Sequence, residues 1–325
     1  MNFARFTRRA AMAATLLTAS LVNQAFAQDA WPTKPVTMVI PFSPGGSTDL
    51  IGWLITQELS KELGQNVVTE YKPGAGGLIG ATAVSQAAPD GYTFVLSGVA
   101  SNIIAPVKAN SEIDPINDFT NVAVIGGGPT VLVVHPDVKV STVKEFVDLS
   151  KATAEGLSVV NPGIGTTAHL FLEMFRAETG AKMVPIAYAG SGPAAADLVA
   201  NQVPYGFMTL IAVSEFVKSG QIKLLGMSSE ARSPLFPDVP TLRESGFPNL
   251  IGTSWFSISA PAGLPQDIAK KMNATVNKIL ADKTIRDKLI SESVEVSQPL
   301  DLKGVDAFFK AELDRWSPII RAMPK

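Results

Sequence analysis

The chain has 325 residues, with 27 lysine and arginine side chains, 29 aspartate and glutamate side chains and no cysteine. The lack of cysteine excludes disulfides, metal-thiolate sites, thiol nucleophiles and a lipoprotein anchor. The balanced charge contains no basic run, so composition favours neither a nucleic-acid partner nor an anionic membrane surface.

The first 27 residues are typical of a secretion signal. Arg5, Arg8 and Arg9 form a basic start, Ala10–Val22 is apolar, and Ala25–Ala27 ends in a small-x-small cleavage pattern. The apolar segment is too short to span a membrane. We therefore predict cleavage after Ala27, general secretion rather than twin-arginine export, and a periplasmic protein that is not membrane-anchored.

The chain then opens with strand–turn–helix units, a pattern that predicts parallel strands with right-handed crossovers. The predicted strands are 36–40, 67–71 and 92–96, and the predicted helices are 49–63 and 78–87. A crossing to a second domain is expected at the glycine run 126–129. The elements expected next are strands 131–134, 157–160, 183–186, 205–209 and 223–227, with helices 142–154, 169–179, 194–200 and 213–219.

A return crossing is expected just before the strand 253–259, followed by helices over 266–281 and 305–321. The predicted division is residues 28–126 plus 252–325 for domain 1 and 127–251 for domain 2, both α/β. Two crossing segments make a hinge, and the cleft between hinged domains is a natural place for a ligand.

Three loops, Ser43–Asp49, Asn161–His169 and Ala189–Pro193, combine glycines with hydroxyl side chains just before a helix. Each alone resembles an ordinary connection of an α/β protein. Together, at the same end of successive parallel strands, they favour a binding site. They contain no lysine or arginine, so an anionic ligand would have to be held by main-chain donors at helix N-termini.

Other candidate residues have structural interpretations beside functional ones. The run Gly74–Gly80 has the spacing GxGxxxG, which fits a tight turn better than a dinucleotide fingerprint. His135 is predicted to be structural, whereas His169 either donates to a ligand or stabilises a turn. Asp49 is favoured as a first-turn acid over a ligand contact, and Trp53 lies in the core or faces the cleft. No nucleophile elbow, phosphate-binding loop or metal-ligand spacing occurs, so we predict no cofactor, no metal and no enzyme.

Several motifs occur in a characteristic order along the chain. They are 31–36 (WPTKPV), 41–49 (PFSPGGSTD), 63–65 (LGQ), 73–77 (PGAGG), 89–93 (PDGYT), 163–170 (GIGTTAHL), 192–198 (GPAAADL), 237–241 (PDVPT) and 261–265 (PAGLP). With these motifs the chain resembles the tripartite tricarboxylate transporter substrate-binding proteins, also called the Bug family, over essentially its whole mature length.

The resemblance implies a two-domain periplasmic binding protein fold, type II-like, with a hinge of two crossing segments and the ligand in the interdomain cleft. It implies a monomeric receptor that delivers a small organic carboxylate, a dicarboxylate or an aromatic carboxylate, to a membrane permease. The alternatives are a receptor for a sensor protein and an exported enzyme that uses the same cleft. Phe42, Tyr188 and Trp53 are the candidate aromatic residues for contacts with an apolar part of the ligand.

The predicted ligand contacts combine the three loops with the end of the third strand. They are Phe42, Ser43, Gly45, Gly46, Ser47, Thr48, Asp49, Ser97, Gly163, Gly165, Thr166, Thr167, His169, Tyr188, Ala189, Gly190 and Ser191.

Overall fold

The computed structural model describes residues 31–322. The predicted secretion signal and its cleavage site lie outside the described residues. Within residues 31–322 there are ten strands, namely β1 (Val36–Ile40), β2 (Val67–Tyr71), β3 (Thr93–Gly98), β4 (Phe119–Val134), β5 (Leu157–Asn161), β6 (Met183–Ala187), β7 (Tyr205–Thr209), β8 (Lys223–Met227), β9 (Thr253–Pro261) and β10 (Glu295–Val296).

Ten α-helices lie between and after these strands in the described part of the chain. They are α1 (Ser47–Leu63), α2 (Leu78–Ser85), α3 (Ala105–Ala109), α4 (Val143–Ala152), α5 (Thr167–Thr179), α6 (Ser191–Val199), α7 (Leu210–Lys218), α8 (Gln266–Ala281), α9 (Lys283–Ser291) and α10 (Leu302–Ala322). A 3-10 turn (Ala75–Gly77) precedes α2, and a π-helical turn (Ala100–Ile104) precedes α3.

The strands form a mixed sheet in the order β2-β1-β3-β9-β4-β7-β5-β6, with β10 and β8 pairing additional stretches of β4. β1 lies parallel to both β2 and β3, and β5 lies parallel to β6, as the strand–turn–helix pattern predicts. We call the part of the sheet built on β1, β2, β3 and the first part of β4 lobe 1. The part built on β5, β6, β7, β8 and the end of β4 is lobe 2.

The crossing between the lobes is part of the sheet rather than a loop. β4 runs without a break through the glycine run 126–129, where a crossing between two separate strands was expected. In this region Gly127 pairs with Trp255 of β9, and Gly127 also pairs with Glu295 of β10. A Cβ atom added to Gly127 would lie 2.2 Å from the carbonyl oxygen of Ser254, so the close strand approach needs glycine there. The domain boundaries that we expect near residues 126 and 252 fall in this region and stay predictions.

One hydrophobic core extends through both lobes. It includes Ile103 from lobe 1, Phe171 from lobe 2 and Trp316 from α10, all fully buried. The rings of Phe171 and Trp316 meet edge to face with centroids 6.1 Å apart. α10 therefore packs behind the lobes, on residues contributed by both.

The sequence pattern missed two helical segments. Residues 100–109 and α9 were not predicted, because neither combines a long apolar period with a clear starting cap. The final helix begins at Leu302 rather than Val305, and α5 begins two residues before His169. Within residues 31–322 we find no helix with the length and apolar character needed to cross a membrane.

Candidate functional site

A cavity lies between the two lobes, at the C-terminal ends of strands β1, β3 and β5. Its free space is about 40 Å³. Free space of at least about 10–15 Å³ is needed to hold one buried water, and a water takes up about 30 Å³ in the liquid. By this ratio the cavity can hold a small organic molecule of roughly 100 Å³. The lining residues are Phe42, Gly46, Ser47, Thr48, Leu96, Ser97, Gly98, Ala100, Ser101, Pro162, Thr166, Thr167, Ala168, Ser191, Thr209, Ser254, Trp255 and Phe256.

The N-terminus of α1 opens onto this cavity without a side-chain cap. Its N-cap is Gly46, in an extended conformation, which offers no hydroxyl or carboxylate to the N–H groups of the first turn. Asp49 instead holds the preceding loop, since its Oδ2 accepts from the Gly45 N–H at 2.8 Å and its Oδ1 accepts from the Tyr71 hydroxyl at 2.5 Å. That bond to Asp49 is the main reason why the pKa of Tyr71 is raised. The first-turn donors of α1 are left available to a ligand.

The N-terminus of α6 is open in the same way. Its N-cap is Gly190, at a φ of 144°, and it makes no side-chain cap hydrogen bond. The adjacent Tyr188 donates to Asp197 Oδ2 at 2.5 Å, which ties the loop to α6. Burial, followed by that bond, raises the pKa of Tyr188 to about 12, so the phenol stays protonated. Two helix N-termini with free donors thus face one cavity.

The N-terminus of α5 differs, because the side chain of its N-cap residue, Thr166, accepts a hydrogen bond from the first turn. Thr166 Oγ1 accepts from the His169 N–H at 3.2 Å and donates to the Gly163 carbonyl at 2.7 Å. Asn161 Oδ1 also accepts from the Gly163 N–H at 3.0 Å. Burial lowers the pKa of His169, whose imidazole Nδ1 has no hydrogen-bond partner within the described structure. His169 is not among the residues that line the cavity.

Several hydroxyl groups in the cavity wall have no strong protein partner. Within residues 31–322, Ser47, Thr48 and Ser191 make no side-chain hydrogen bond, and Thr209 Oγ1 is buried without a partner. Thr167 and Ser254 share one long contact at 3.2 Å. Unpartnered buried hydroxyls are costly unless water or a ligand satisfies them, so these groups favour a polar occupant.

The two lobes touch along the rim of the cavity. The Ser43 N–H of lobe 1 donates to the Ala189 carbonyl of lobe 2, with N and O 3.2 Å apart. A Cβ atom added to Gly192 would lie 2.4 Å from the Pro44 carbonyl oxygen, and one added to Gly76 would lie 2.5 Å from the Ile164 carbonyl oxygen. Glycines therefore allow the backbones of opposite lobes to meet, and the cavity is closed on this side.

A shallow outer groove of about 230 Å³ lies beyond Phe42. Phe42 lines both spaces, and the remaining walls of the groove come from the second glycine turn and from loops of lobe 2. Those walls are Gly74, Ala75, Gly76, Pro162, Gly163, Ile164, Ala187, Tyr188 and Ala189.

The structure divides the predicted contacts into three sets. The inner cavity is lined by Phe42, Gly46, Ser47, Thr48, Ser97, Thr166, Thr167 and Ser191. The outer groove is lined by Gly163, Tyr188 and Ala189 of the predicted contacts. Neither space is lined by Ser43, Gly45, Asp49, Gly165, His169 or Gly190, which lie in the supporting loops, in α1 or in α5. Trp53 faces solvent, 54% exposed, with the Lys288 ammonium 4.8 Å from its ring centroid.

Sequence reasoning missed the part of the wall that comes from β7 and β9. Thr209 ends β7 at its C-terminus, so the rule that ligands bind at strand ends could have found it. Trp255 and Phe256 lie on the strand predicted just after the return crossing, but their place in the wall depends on the register that pairs Phe256 with Gly98. The pairing register of two strands so far apart in the sequence leaves no local sequence pattern from which it can be predicted.

The cavity wall carries no charge: none of the residues that line it is ionisable. Across residues 31–322, no group of histidine, aspartate and glutamate has a metal-binding arrangement. The donors available to an occupant are main-chain N–H groups and hydroxyls, which together suit an anion without a cationic side chain.

Comparison with known protein families identifies the family of this chain. Residues 52–324 match the family model described as tripartite tricarboxylate transporter family receptor. The chain belongs to this family. It is 33% identical to Protein BugT of Bordetella pertussis over 301 residues, which cover 90% of each chain. The likeness predicted from the sequence motifs is confirmed.

Solved structures similar to this chain share its fold. The periplasmic binding protein BugD superposes with a TM-score of 0.85 at 29% identity, covering 90% of this chain and 98% of that one. Rpa4515 of Rhodopseudomonas palustris with adipate gives 0.85 at 31% identity, covering 90% and 97%. MatC of the same species with bound malate gives 0.85 at 30% identity, covering 89% and 100%. The predicted two-domain periplasmic binding protein fold is confirmed.

Proposed function

We propose that this receptor captures a small organic carboxylate in the inner cavity and delivers it to the membrane permease of a tripartite transporter. The observation that carries the proposal is the pair of uncapped helix N-termini, α1 and α6, which face one uncharged cavity together with free hydroxyls. Each N-terminus contributes about 0.3–1 kcal/mol to an anion, and up to about 2 kcal/mol in a partly buried site.

The bound molecules of two relatives support this class of ligand, since adipate and malate are both carboxylates. The Ser43–Ala189 hydrogen bond supports closure of the lobes around the ligand. Gly46, Ser47, Thr48 and Ser191 are the proposed contacts of the carboxylate end, and Phe42, Trp255 and Phe256 cover its carbon skeleton. The predicted contacts that line the outer groove are proposed to act at the entrance.

Binding rather than catalysis fits the chemistry of the wall. Acid–base and nucleophilic catalysis both need an ionisable group within reach of the substrate, and the residues that line this cavity offer none. We propose that the protein is a periplasmic, monomeric receptor without enzymatic activity. We expect it to leave its best ligand chemically unchanged.

A thermal-shift screen against organic acids, followed by calorimetric titration, tests the binding proposal. A ligand that binds only the folded state raises the melting temperature in proportion to its saturation. We expect at least one carboxylate to raise it and the matched amide to have no effect. If no carboxylate in the screen binds, or if the best ligand is turned over, the proposal is wrong.

Uptake of the radiolabelled ligand by intact cells tests the delivery step. Deleting the gene for this protein is expected to reduce uptake. Restoring the wild-type gene is expected to recover uptake, and restoring a binding-deficient variant is expected to leave it low. Unchanged uptake on deletion, with binding intact, would favour the role of a receptor for a sensor protein.

A further inference from the structure

A chain of four buried polar side chains runs from the inner cavity into lobe 1. Ser97, at the end of β3, lines the cavity, whereas Ser257 and Ser259 of β9 and Asn121 of β4 lie behind it. Ser97 Oγ is 2.6 Å from Ser257 Oγ and 2.8 Å from Ser259 Oγ. Ser259 Oγ is 2.7 Å from Asn121 Oδ1. All four side chains are at most 4% exposed, so bulk water does not complete their hydrogen bonds.

The orientation of Asn121 sets the direction of this chain. Its Nδ2 donates to the Pro115 carbonyl oxygen at 3.1 Å. A carbonyl oxygen can only accept, so a flipped amide would place two oxygens against each other. Asn121 Oδ1 therefore faces Ser259, and the single hydroxyl proton of Ser259 is donated to it.

The remaining bonds follow from this assignment. Because Ser259 has already donated its proton, Ser97 must be the donor in the contact between Ser97 and Ser259. Ser257 must then donate to Ser97. The Ser257 carbonyl lies 3.3 Å from Ser97 Oγ, but directing the Ser97 proton there would leave lone pairs facing each other in the 2.8 Å contact. Ser97 Oγ is thus left with one lone pair that can accept a hydrogen bond from a ligand, and its proton is already donated to Ser259.

The neighbouring part of the wall has the reverse polarity. The first turns of α1 and α6 present N–H groups, and Ser47, Thr48 and Ser191 add hydroxyls without protein partners. Since β1 and β3 are parallel neighbours, Ser97 at the end of β3 lies beside the loop that leads from β1 into α1. Donors and a pure acceptor therefore bound one small space.

We propose that the ligand is a hydroxycarboxylate, whose carboxylate binds the donors at α1 and α6 and whose hydroxyl donates to Ser97 Oγ. This inference rests on the proposed function. A ketone or second carboxylate at that position would place its lone pairs against Ser97. An ammonium group would enter a wall without a counter-charge, where desolvation costs more than a neutral acceptor returns.

Calorimetric titration with matched ligand pairs tests the inference. Each pair shares its carbon skeleton and differs by one hydroxyl: lactate and propionate, 3-hydroxybutyrate and butyrate, malate and succinate. One net hydrogen bond is worth about 1 kcal/mol, and an unpaired buried acceptor adds to the discrimination, so the hydroxylated member of the best-binding pair should bind about tenfold more tightly.

Two substitutions separate the role of Ser97 from a loss of packing. Ser97→Ala should bring the affinity ratio within the best pair close to one, with the affinity for the member without the hydroxyl nearly unchanged. Ser259→Ala removes the acceptor of the Ser97 proton, and the Ser257 carbonyl, 3.3 Å from Ser97 Oγ, can then accept it. Ser97 Oγ keeps its lone pair for the ligand, so this variant should retain the preference for the hydroxylated member of the pair to within about threefold of wild type.

Ser150→Ala is the matched control. Ser150 is a fully buried serine of α4, outside the cavity, that donates to the Val147 carbonyl at 2.7 Å. It should alter the melting temperature without altering the affinity ratio within the best pair. Equal affinity of wild type for both members of every pair that binds overturns the hydroxyl inference and leaves carboxylate binding intact. Failure of all these acids to bind, while other carboxylates bind, also overturns it. Failure of every carboxylate rejects the proposed function as well.

Discussion

The loops after β1 and after β5 have the same design and different availability to a ligand. Both leave a parallel strand through glycines and hydroxyl residues and enter a helix. The N-cap of α1 is Gly46, which leaves the first N–H groups open, whereas the N-cap of α5 is Thr166, whose side chain accepts from the His169 N–H. The difference teaches that a glycine–hydroxyl turn leaves helix N–H donors open to a ligand when its N-cap residue does not consume them.

Gly46→Val should have the largest effect, because it closes the open terminus. A Cβ at this position would lie 3.3 Å from Ser191 Cβ, and the two further methyl groups of valine have no room between the lobes. We expect affinity for the best carboxylate to fall at least about 100-fold, by calorimetry. The backbone of Gly46 is extended, so valine is compatible with folding of the lobe.

Gln57→Val, on the exposed face of the same helix, is its control and should bind normally. Retention of wild-type affinity by Gly46→Val would remove α1 from the site and end the distinction between the two loops.

Thr166→Val should act mainly on stability. It deletes the cap of α5, which costs about 1 kcal/mol of unfolding free energy in chemical denaturation. Thr142→Val is the matched variant, since Thr142 Oγ1 caps α4 by accepting from the Glu145 N–H at 3.1 Å, away from the cavity. We expect similar losses of stability in both and less than about a tenfold change in affinity for Thr166→Val. An affinity loss as large as that of Gly46→Val would show that α5 is equally part of the anion site.

Asp49→Asn should loosen the loop that precedes α1. The carboxylate accepts from both the Gly45 N–H and the Tyr71 hydroxyl, and a neutral amide replaces these charge-assisted bonds with weaker neutral ones. We expect affinity to fall about fivefold, equivalent to one hydrogen bond of about 1 kcal/mol. Tyr71→Phe, which leaves the Gly45 contact in place, should lose less. Tighter binding by Asp49→Asn would mean instead that the carboxylate repels the ligand directly.

His169 should make the stability of α5 depend on pH. Burial lowers its pKa in the folded protein, whereas in the unfolded chain the pKa is about 6.5. Below that value the unfolded chain binds the proton first, so the free energy of unfolding falls as the pH is lowered from 7 to 5. His169→Gln should flatten this part of the profile while leaving the values above pH 8 parallel to wild type. An identical slope in the variant would assign the pH dependence to other groups.

His135→Gln should have the smallest effect. His135 follows β4 beside Asp137, with Nδ1 and the carboxylate oxygen 3.5 Å apart, and does not line the cavity. Its replacement is expected to leave ligand affinity unchanged by calorimetry. A large loss of affinity would extend the site well beyond the two loops compared here.

Much of the fold followed from local patterns in the sequence. The glycine turns before α1, α5 and α6 were visible because each follows an apolar strand and precedes a helical period. Gly46 and Thr166 were not distinguished, because an N-cap is defined by where the helix begins, and helix starts read from sequence are uncertain by a few residues. The chain from Ser97 to Asn121 was invisible for another reason, since it joins residues on three strands whose pairing is non-local.

The crossing between the lobes has a consequence for how fast the receptor can exchange its ligand. β4 and β9 hydrogen-bond each other through the crossing, and β10 borders β4 on the other side. Opening therefore has to be absorbed as a change of twist in a paired ribbon, rather than as free rotation within a loop. We expect such a ribbon to act as an elastic element with a preferred shape, which returns part of the energy of closure when the lobes separate and the ligand leaves.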